Sequence, residues 1–216
     1  MSDDPVLSDA IQDYLKEIYK LRTDGGKATT TALAKRLRVS PASVTAMVKK
    51  LAALGLAEHF PYHGVDLTPA GQRVALEVVR HHRLLELYLA ETLGIAVESV
   101  HAEADRLEHV LSDELEARID SALGYPTHDP HGDPIPDAQL QMQAEPEVRP
   151  LSALGAGEAG TVRRVPDDDE LLPKLSALGL VPGRRISVKS LNPLTISIDG
   201  VDQIVVRELA DAVGVG

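Results

Sequence analysis

Six prolines fall within the 27 residues from Gly124 to Pro150, in the stretch GYPTHDPHGDPIPDAQLQMQAEPEVRP. Proline fixes φ and lacks a backbone N–H, so this stretch does not continue a helix or a central strand. Before it, apolar residues recur at helical spacing, whereas after it short runs such as LTISIDG and QIVVREL are typical of strands. We therefore predict a mainly α chain with a small antiparallel β barrel, joined by a linker or extended arm.

Short helices and a hairpin are predicted in the first 67 residues. A first helix, capped by Ser8 or Asp9, runs to about Leu21, and a short second helix follows TTT. Ser40 and Pro41 supply the cap and the first position of a third helix. The stretch LAEHFPYHGVDL is then expected to form two short strands around PYHG. This order of elements is typical of a winged helix-turn-helix.

The charge distribution supports DNA binding by this part of the chain. The whole chain has a net charge of −11, but residues 27–75 carry seven Lys and Arg against two acidic residues. A basic module attached to an acidic body is typical of a nucleic-acid-binding protein, and the alternative is a helical bundle with a solvated basic face. The wing around Tyr62–Gly64 is expected to touch the flanking backbone. The residues expected at base edges or phosphates are Arg36, Arg38, Ser40, Ala42, Ser43, Thr45, Ala46, Lys49 and Lys50.

The chain contains no cysteine and only three methionines, Met1, Met47 and Met142. Disulfides and thiolate metal sites are thereby excluded, and a metal site away from the methionines has only nitrogen and oxygen ligands. The start of the chain is polar and acidic, unlike a signal peptide, and no apolar run is long enough to cross a membrane. These features lead us to expect a cytoplasmic protein.

The stretch HAEADRLEHV, at 101–110, contains two histidines and three acidic residues. Four of these residues share one face if the stretch is helical: His101, Asp105, Glu108 and His109. Thr68 and Pro69 start a long amphipathic helix that is predicted to continue to Gly94, and His82 and Glu86 form a second pair on it, four residues apart. Two such stripes on facing helices favour a metal site in a helical core over a solvated acidic face. The proline-rich segment also contains residues of types that bind metals, namely His128, Asp129, His131 and Asp133. Such residues are common in proline-rich loops, so we leave these four outside the predicted sites.

Several motifs together resemble the diphtheria toxin repressor family, which includes iron-dependent repressors and manganese transport regulators. They are DYLKEIYKL (13–21), SPASVTAMVKKL (40–51), GVDLTPAG (64–71), HHRLLELYL (81–89), VHAEADRLEHVLSDELEARI (100–119) and HGDPIP (131–136). The resemblance implies a winged helix-turn-helix domain (1–74), a helical metal-binding and dimerisation domain with the proline-rich linker (75–149), and an SH3-like, FeoA-like domain (150–216).

The same resemblance implies two metal sites. The ligands of the primary site would be Asp13, Asp105, Glu108 and His109. Those of the ancillary site would be His82, Glu86 and His101, with Asp168 and Glu170 as further candidates from the C-terminal domain.

The chain departs from the iron-responsive branch at two ligands, because that branch has Met where this chain has Asp13 and Cys where it has Asp105. Oxygen ligands suit Mn²⁺ better than sulfur does, so we expect Mn²⁺ as the activating ion and keep Fe²⁺ as the alternative. Other divalent metals are expected to bind in vitro. Lys16 stands where the two-domain manganese regulators have an acidic ligand, so their paired-manganese site looks incomplete here.

The expected function is a metal-dependent transcriptional regulator that binds a palindromic DNA operator as a homodimer and controls metal-ion homeostasis. The alternatives are an iron-dependent repressor of the same family and a winged-helix regulator that senses an organic ligand. An enzyme is not expected, because the chain has no H-E-x-x-H signature, nucleophile motif or glycine-rich phosphate loop.

Overall fold

A computed structural model of the chain describes residues 7–60, 63–168 and 170–216. The helices before the proline-rich segment are α1 (Asp9–Thr23), α2 (Thr30–Arg36), α3 (Pro41–Ala53), α4 (Pro69–Glu91), α5 (Val97–Leu107) and α6 (Asp113–Ala122). Strands β1 (Ala57–Phe60) and β2 (Gly64–Leu67) form the hairpin between α3 and α4. The expected wing residue Tyr62 lies outside the described residues.

Local capping chemistry explains where the helices of the N-terminal domain begin. The side chain of Thr29 accepts a hydrogen bond from the backbone N–H of Ala32 at the start of α2, and that of Ser40 accepts one from Ser43 at the start of α3. The apolar faces of these helices meet in one core with those of α1 and the hairpin. The winged helix-turn-helix is therefore present as predicted.

Helix α4 is the central element of the helical half, because α1, α5 and α6 all pack against it. Its first turns join the core of the DNA-binding domain through Ala75, and its later turns pack Leu84 and Leu87 against Ala104 and Ile119. This arrangement places the start of α1 opposite the end of α5, where most of the candidate ligands lie.

The stretch HAEADRLEHV is not wholly helical, because α5 ends at Leu107. Ser112 caps α6 by accepting a hydrogen bond from the backbone N–H of Leu115, so a new helix begins after the turn that follows α5. Glu108 keeps helical backbone angles as the C-cap of α5. The side chains of Glu108 and His109 therefore still turn towards α1 and α4.

The first half of the proline-rich segment is packed structure and not a free linker. The guanidinium groups of Arg80 and Arg83, both on α4, donate hydrogen bonds to the backbone carbonyls of Pro136 (2.7 Å) and Pro134 (2.5 Å). Gly132, with φ +87°, approaches the C-terminal domain so closely that a Cβ atom there would lie 1.9 Å from the carbonyl oxygen of Arg163. The segment is thus fixed between α4 and the C-terminal domain.

The C-terminal domain is a small antiparallel β domain with its own core. Its elements are β3 (Arg149–Pro150), β4 (Ala159–Arg164), α7 (Leu172–Ala177), β5 (Arg185–Leu191), β6 (Leu194–Ile198), β7 (Val201–Ile204), α8 (Arg207–Ala212) and β8 (Gly214–Val215). The strands follow the order β3-β8-β4-β5-β6-β7, and every paired strand is antiparallel. The predicted fold class, mainly α with a small SH3-like β domain, is confirmed. Among the described residues, no helix is both long and apolar enough to cross a membrane.

Candidate metal centre

Asp13, Glu108 and His109 form a first group of candidate ligands, which we name the α1 cluster. His109 Nε2 lies 2.9 Å from Asp13 Oδ1 and 3.5 Å from Glu108 Oε1. The other ring nitrogen, Nδ1, lies 2.8 Å from Gln12 Oε1, which accepts its hydrogen. A histidine held in this way presents Nε2 as a ligand, the arrangement common to histidines that bind metals.

Asp105 lies outside the α1 cluster, although the resemblance grouped it with Asp13. Its Oδ1 atom accepts a hydrogen bond from Lys16 Nζ (2.9 Å) and lies 3.3 Å from His82 Nδ1, while Oδ2 lies 3.5 Å from His101 Nε2. These contacts place Asp105 beside His82 and His101, and it is not grouped with Asp13. The structure brings together three of the four side chains expected at the primary site.

Lys16 also donates a hydrogen bond to Glu108 Oε1, at 2.6 Å. Burial alone would lower the pKa of Lys16, but the carboxylates of Glu108 and Asp105 outweigh it and hold that pKa above its usual range. Burial raises the pKa of Glu108, but His82 and Lys16 outweigh it and lower that pKa. The pair is therefore ionised, and a positive charge lies permanently between α1 and the end of α5.

The second group, which we name the α4 cluster, consists of His82, Glu86, His101 and Asp167. His82 Nε2 lies 3.0 Å from Glu86 Oε1, and His101 Nδ1 lies 3.1 Å from His82 Nε2. Asp167 follows β4 in the C-terminal domain, and its Oδ2 atom lies 2.6 Å from His101 Nδ1. The ancillary residues expected on α4 and α5 are thus brought together, with an added carboxylate from the C-terminal domain.

The donor atoms of the α4 cluster fit a divalent cation. His101 Nδ1 lies within 3.2 Å of three polar atoms, on His82, Glu86 and Asp167, and a single N–H cannot satisfy all three. Burial alone would lower the pKa of His101, but Asp167 and Glu86 raise it to about 10. Excess negative charge around convergent imidazoles is the setting in which a divalent metal replaces protons.

His131, which we left outside the predicted sites, belongs beside the α4 cluster. Its side chain is fully buried, and neither ring nitrogen has a hydrogen-bond partner among the described residues. Nε2 lies 3.7 Å from Glu86 Oε1 and 3.7 Å from Asp167 Oδ1. Buried polar atoms are rarely left unpaired, so His131 is a further candidate ligand. The motif HGDPIP was visible in the sequence, but nothing there shows that it folds back onto α4.

Asp167 takes the place that we expected for Asp168 or Glu170. Asp168 Oδ1 accepts hydrogen bonds from the backbone N–H groups of Glu170 (2.9 Å) and Leu171 (3.0 Å), just before α7. The side chain of Asp168 is therefore used in a turn, and Glu170 is exposed. Among the described residues, Asp167 supplies the carboxylate from the C-terminal domain that faces His101, in place of the expected Asp168 and Glu170.

Glu108 connects the two clusters. Oε1 faces Lys16 and His109, and Oε2 accepts a hydrogen bond from His82 Nδ1 at 2.5 Å. This bond leaves Nε2 of His82 directed at the α4 cluster. A change in the position of Glu108 therefore affects both clusters.

The candidate DNA-binding residues are all exposed on α3 and around the turn before it. Ser40 Oγ is occupied by capping α3, and Thr45 Oγ1 donates to the carbonyl of Pro41 at 2.9 Å, so these hydroxyls are partly used within their own helix. Arg36 is paired with two carboxylates near α1, those of Glu17 (3.3 Å) and Asp24 (3.2 Å). The surface that remains for phosphates is mainly that of Arg38, Lys49 and Lys50.

Comparisons with known proteins match the chain over nearly its whole length. Three family models match: "Iron dependent repressor, N-terminal DNA binding domain" over 6–65, "Iron dependent repressor, metal binding and dimerisation domain" over 68–137, and "FeoA domain" over 149–215. The chain is 33% identical to the iron-dependent repressor IdeR of Mycobacterium leprae, with 97% of each protein covered. It is also 33% identical to the diphtheria toxin repressor of Corynebacterium efficiens, over 97% of this chain and 96% of that protein.

The similar solved structures include proteins described by manganese and by iron. A manganese-dependent transcriptional repressor in complex with manganese has a TM-score of 0.84 and 39% identity, with 95% of this chain and 98% of that chain covered. An IdeR from T. acidophilum has a TM-score of 0.76 and 31% identity, with 94% and 96% covered. The likeness in fold therefore leaves the choice of metal open.

Proposed function

Because this chain belongs to the iron-dependent repressor family, whose members are metal-dependent, DNA-binding transcriptional repressors and not enzymes, we propose that it binds a palindromic operator as a Mn²⁺-loaded homodimer. We propose that it regulates genes of metal-ion homeostasis and that it is located in the cytoplasm. The observation that carries the proposal is the α1 cluster, in which Asp13 faces Glu108 and His109 across the boundary of the DNA-binding domain. We also keep the division into domains at 1–74, 75–149 and 150–216 as part of this proposal.

The α1 cluster supports a switch between two positions of α1. Asp13 is carried by α1, which packs on α2 and α3, whereas Glu108 and His109 follow α5. When no ion is bound, repulsion between the carboxylates of Asp13 and Glu108 weakens the attachment of α1 to the end of α5. Asp13, Glu108 and His109 would hold a divalent cation, whose two positive charges would reverse this repulsion. The orientation of α3 then depends on the contact between Asp13 and the end of α5.

The donor set supports Mn²⁺ as the activating ion. The α1 cluster offers two carboxylates and one imidazole, and with no cysteine in the chain it contains no thiolate. Oxygen-rich sites suit Mn²⁺, whereas sulfur favours softer metals. Fe²⁺ is the second candidate, because the α4 cluster adds two imidazoles, which suit iron as well.

Dimerisation is proposed through the helices within residues 75–123. Apolar side chains are exposed at the ends of α4, α5 and α6, where Leu93, Leu107, Val110 and Leu115 are all more than a third exposed. Two-fold symmetry would place two copies of α3 over half-sites about 34–36 Å apart, or a multiple of that distance, on a palindromic operator. The acidic remainder of the molecule would lie away from the DNA.

A mobility-shift titration on operator DNA tests the proposal, because each metal can be added separately to chelator-treated protein. We expect tight binding with Mn²⁺, weaker binding with Fe²⁺ under anaerobic conditions, and none with chelator. Light scattering of the same samples should show a dimer. Equal affinity in Mn²⁺ and in chelator would rule out metal control, and a stronger response to Fe²⁺ would favour the second candidate.

A further inference from the structure

We propose that the ammonium group of Lys16 permanently fills a third cation position, lined by His82, Asp105 and Glu108, and thereby limits how many metal ions this chain binds. The inference deepens the proposed function and rests on its two metal clusters. It concerns a lysine on α1 that belongs to neither cluster and whose side chain is only 6% exposed.

The position that Lys16 occupies has ligand geometry of its own. His82, Asp105 and Glu108 each offer one ligand atom within 4.8 Å of the others, as the members of the α1 and α4 clusters do. Lys16 Nζ lies 2.9 Å from Asp105 Oδ1 and 2.6 Å from Glu108 Oε1. An ammonium ion of the protein therefore stands among carboxylates that would otherwise attract a metal ion.

The local charge agrees with this role. Asp13, Asp105 and Glu108 bring three negative charges, and the ammonium of Lys16 neutralises one of them. The remaining two negative charges match a single divalent cation, which the α1 cluster would hold. With an acidic residue in place of Lys16, four carboxylates would match two divalent cations, so the side chain at this position decides between one ion and two.

Lys16 also changes how strongly α1 is held before metal binds. It is carried by α1, whereas Asp105 lies on α5 and Glu108 directly follows it. Removing one partner of a buried ion pair leaves the other charge unpaired, which is strongly destabilising. Lys16 therefore attaches α1 to α5 without an ion, and the α1 cluster completes an attachment that already exists.

Counting bound ions in Lys16→Glu tests the proposal. After equilibrium dialysis against Mn²⁺, metal analysis should find one more ion per chain in Lys16→Glu than in the wild-type protein. Because Glu108 belongs to both groups of ligands, the extra ion should also be magnetically coupled to its neighbour in the Mn²⁺ EPR spectrum. Lys27→Glu is the matched control: it makes the same change of charge at an exposed position and should bind the wild-type number of ions.

A second variant covers the case in which Lys16→Glu does not fold. In chelator, Lys16→Gln should unfold roughly 5–10 °C below Lys27→Gln, because a buried ion pair is broken. Saturating Mn²⁺ should then raise the melting temperature of Lys16→Gln by more than it raises that of the wild type. A Lys16→Gln variant with the same melting temperature and the same response to metal as the wild-type protein would overturn the proposal.

The outcomes separate this inference from the proposed function. A wild-type protein that binds no ion would overturn both. A wild-type protein that binds Mn²⁺, alongside a folded Lys16→Glu that gains no ion or gains one without magnetic coupling, would overturn the role of Lys16 alone.

Discussion

At the residue scale, Glu108 shows how one carboxylate is kept ionised in the interior. The residue is 1% exposed, yet its oxygens meet the ammonium of Lys16 and the ring nitrogens of His82 and His109. A buried charge is tolerated only where it is paired in this way. Each of its partners comes from a different element, so the ionised state of Glu108 depends on α1, α4 and the turn after α5 remaining together.

Asp13→Ala should separate metal binding from DNA binding. Within the α1 cluster, only Asp13 is carried by α1, the helix that packs on α3. Its loss leaves Glu108 and His109 as ligands but removes the link from a bound ion to α1 and hence to α3. Mn²⁺ binding at this cluster should weaken by roughly tenfold or more, since even the loss of a group that only supports a ligand has that effect. Metal titration and mobility shifts measure the two effects separately. Asp9→Ala, exposed on the same helix, should behave as the wild type, and a normal DNA response in Asp13→Ala would exclude Asp13 as the connecting ligand.

At the element scale, α2 and α3 use their charges differently. Arg36 at the end of α2 is paired with Glu17 and Asp24, whereas Lys49 and Lys50 near the end of α3 are exposed. Phosphate contacts release counterions from DNA only if the cation is free to reach the backbone. The electrostatic part of DNA binding should therefore come mainly from α3.

Lys50→Ala should reduce the salt dependence of operator binding. The slope of log K against log salt should fall by about one unit for each protomer that loses a phosphate contact. Arg36→Ala should change that slope less, because its guanidinium already has carboxylate partners within the protein. Binding titrations at several salt concentrations give both slopes, and an equal or larger change in Arg36→Ala would contradict this division of roles.

Helix starts could be predicted from the sequence, whereas the full set of candidate ligands could not. Ser40–Pro41 and Thr68–Pro69 were readable as helix starts, because capping depends only on neighbouring residues. His131 and Asp167 were missed as members of the site, because their approach to Glu86 depends on segments far apart in the chain folding together. Asp105 was grouped with Asp13 through the resemblance, whereas in the structure its carboxylate contacts Lys16, His82 and His101.

At the scale of the whole molecule, the candidate metal centre lies where separately packed parts of the chain meet. The DNA-binding domain, the helical domain and the C-terminal domain each have their own hydrophobic core. Polar side chains from all three converge between these cores, from Asp13 on α1 to Asp167 after β4. Ions bound there would act on the arrangement of the domains more than on the stability of any single one.

The stabilisation by Mn²⁺ should increase with pH. Burial alone would lower the pKa values of His101 and His131, but carboxylates raise them to about 10 and about 9. In the metal-free protein, protonation of these two rings stabilises the fold. This stabilisation is fully present below their ordinary pKa of 6.5 and is lost as the pH rises towards the raised pKa values. A metal ion requires the neutral rings, so proton competition weakens as the pH rises.

Thermal unfolding with and without Mn²⁺, at pH 6, 7 and 8, measures this effect. The rise in melting temperature caused by Mn²⁺ should become larger from pH 6 to pH 8. This increase should be smaller in His131→Ala than in the control variant His128→Ala, because the His128 side chain is exposed. A constant difference in the wild-type protein would show that the imidazoles of the α4 cluster do not exchange protons for metal.

The close approach of Gly132 to Arg163 also has an evolutionary consequence. Any residue with a Cβ atom at this position would push the carbonyl of Arg163 away, because the two atoms would lie 1.9 Å apart. The neighbouring carbonyl of His131 accepts a hydrogen bond from the backbone N–H of Val165, two residues before Asp167, so that push would separate His131 from Asp167 as well. Attachment of the C-terminal domain and its share in the α4 cluster therefore both depend on one glycine, and a single substitution of Gly132 would disturb both.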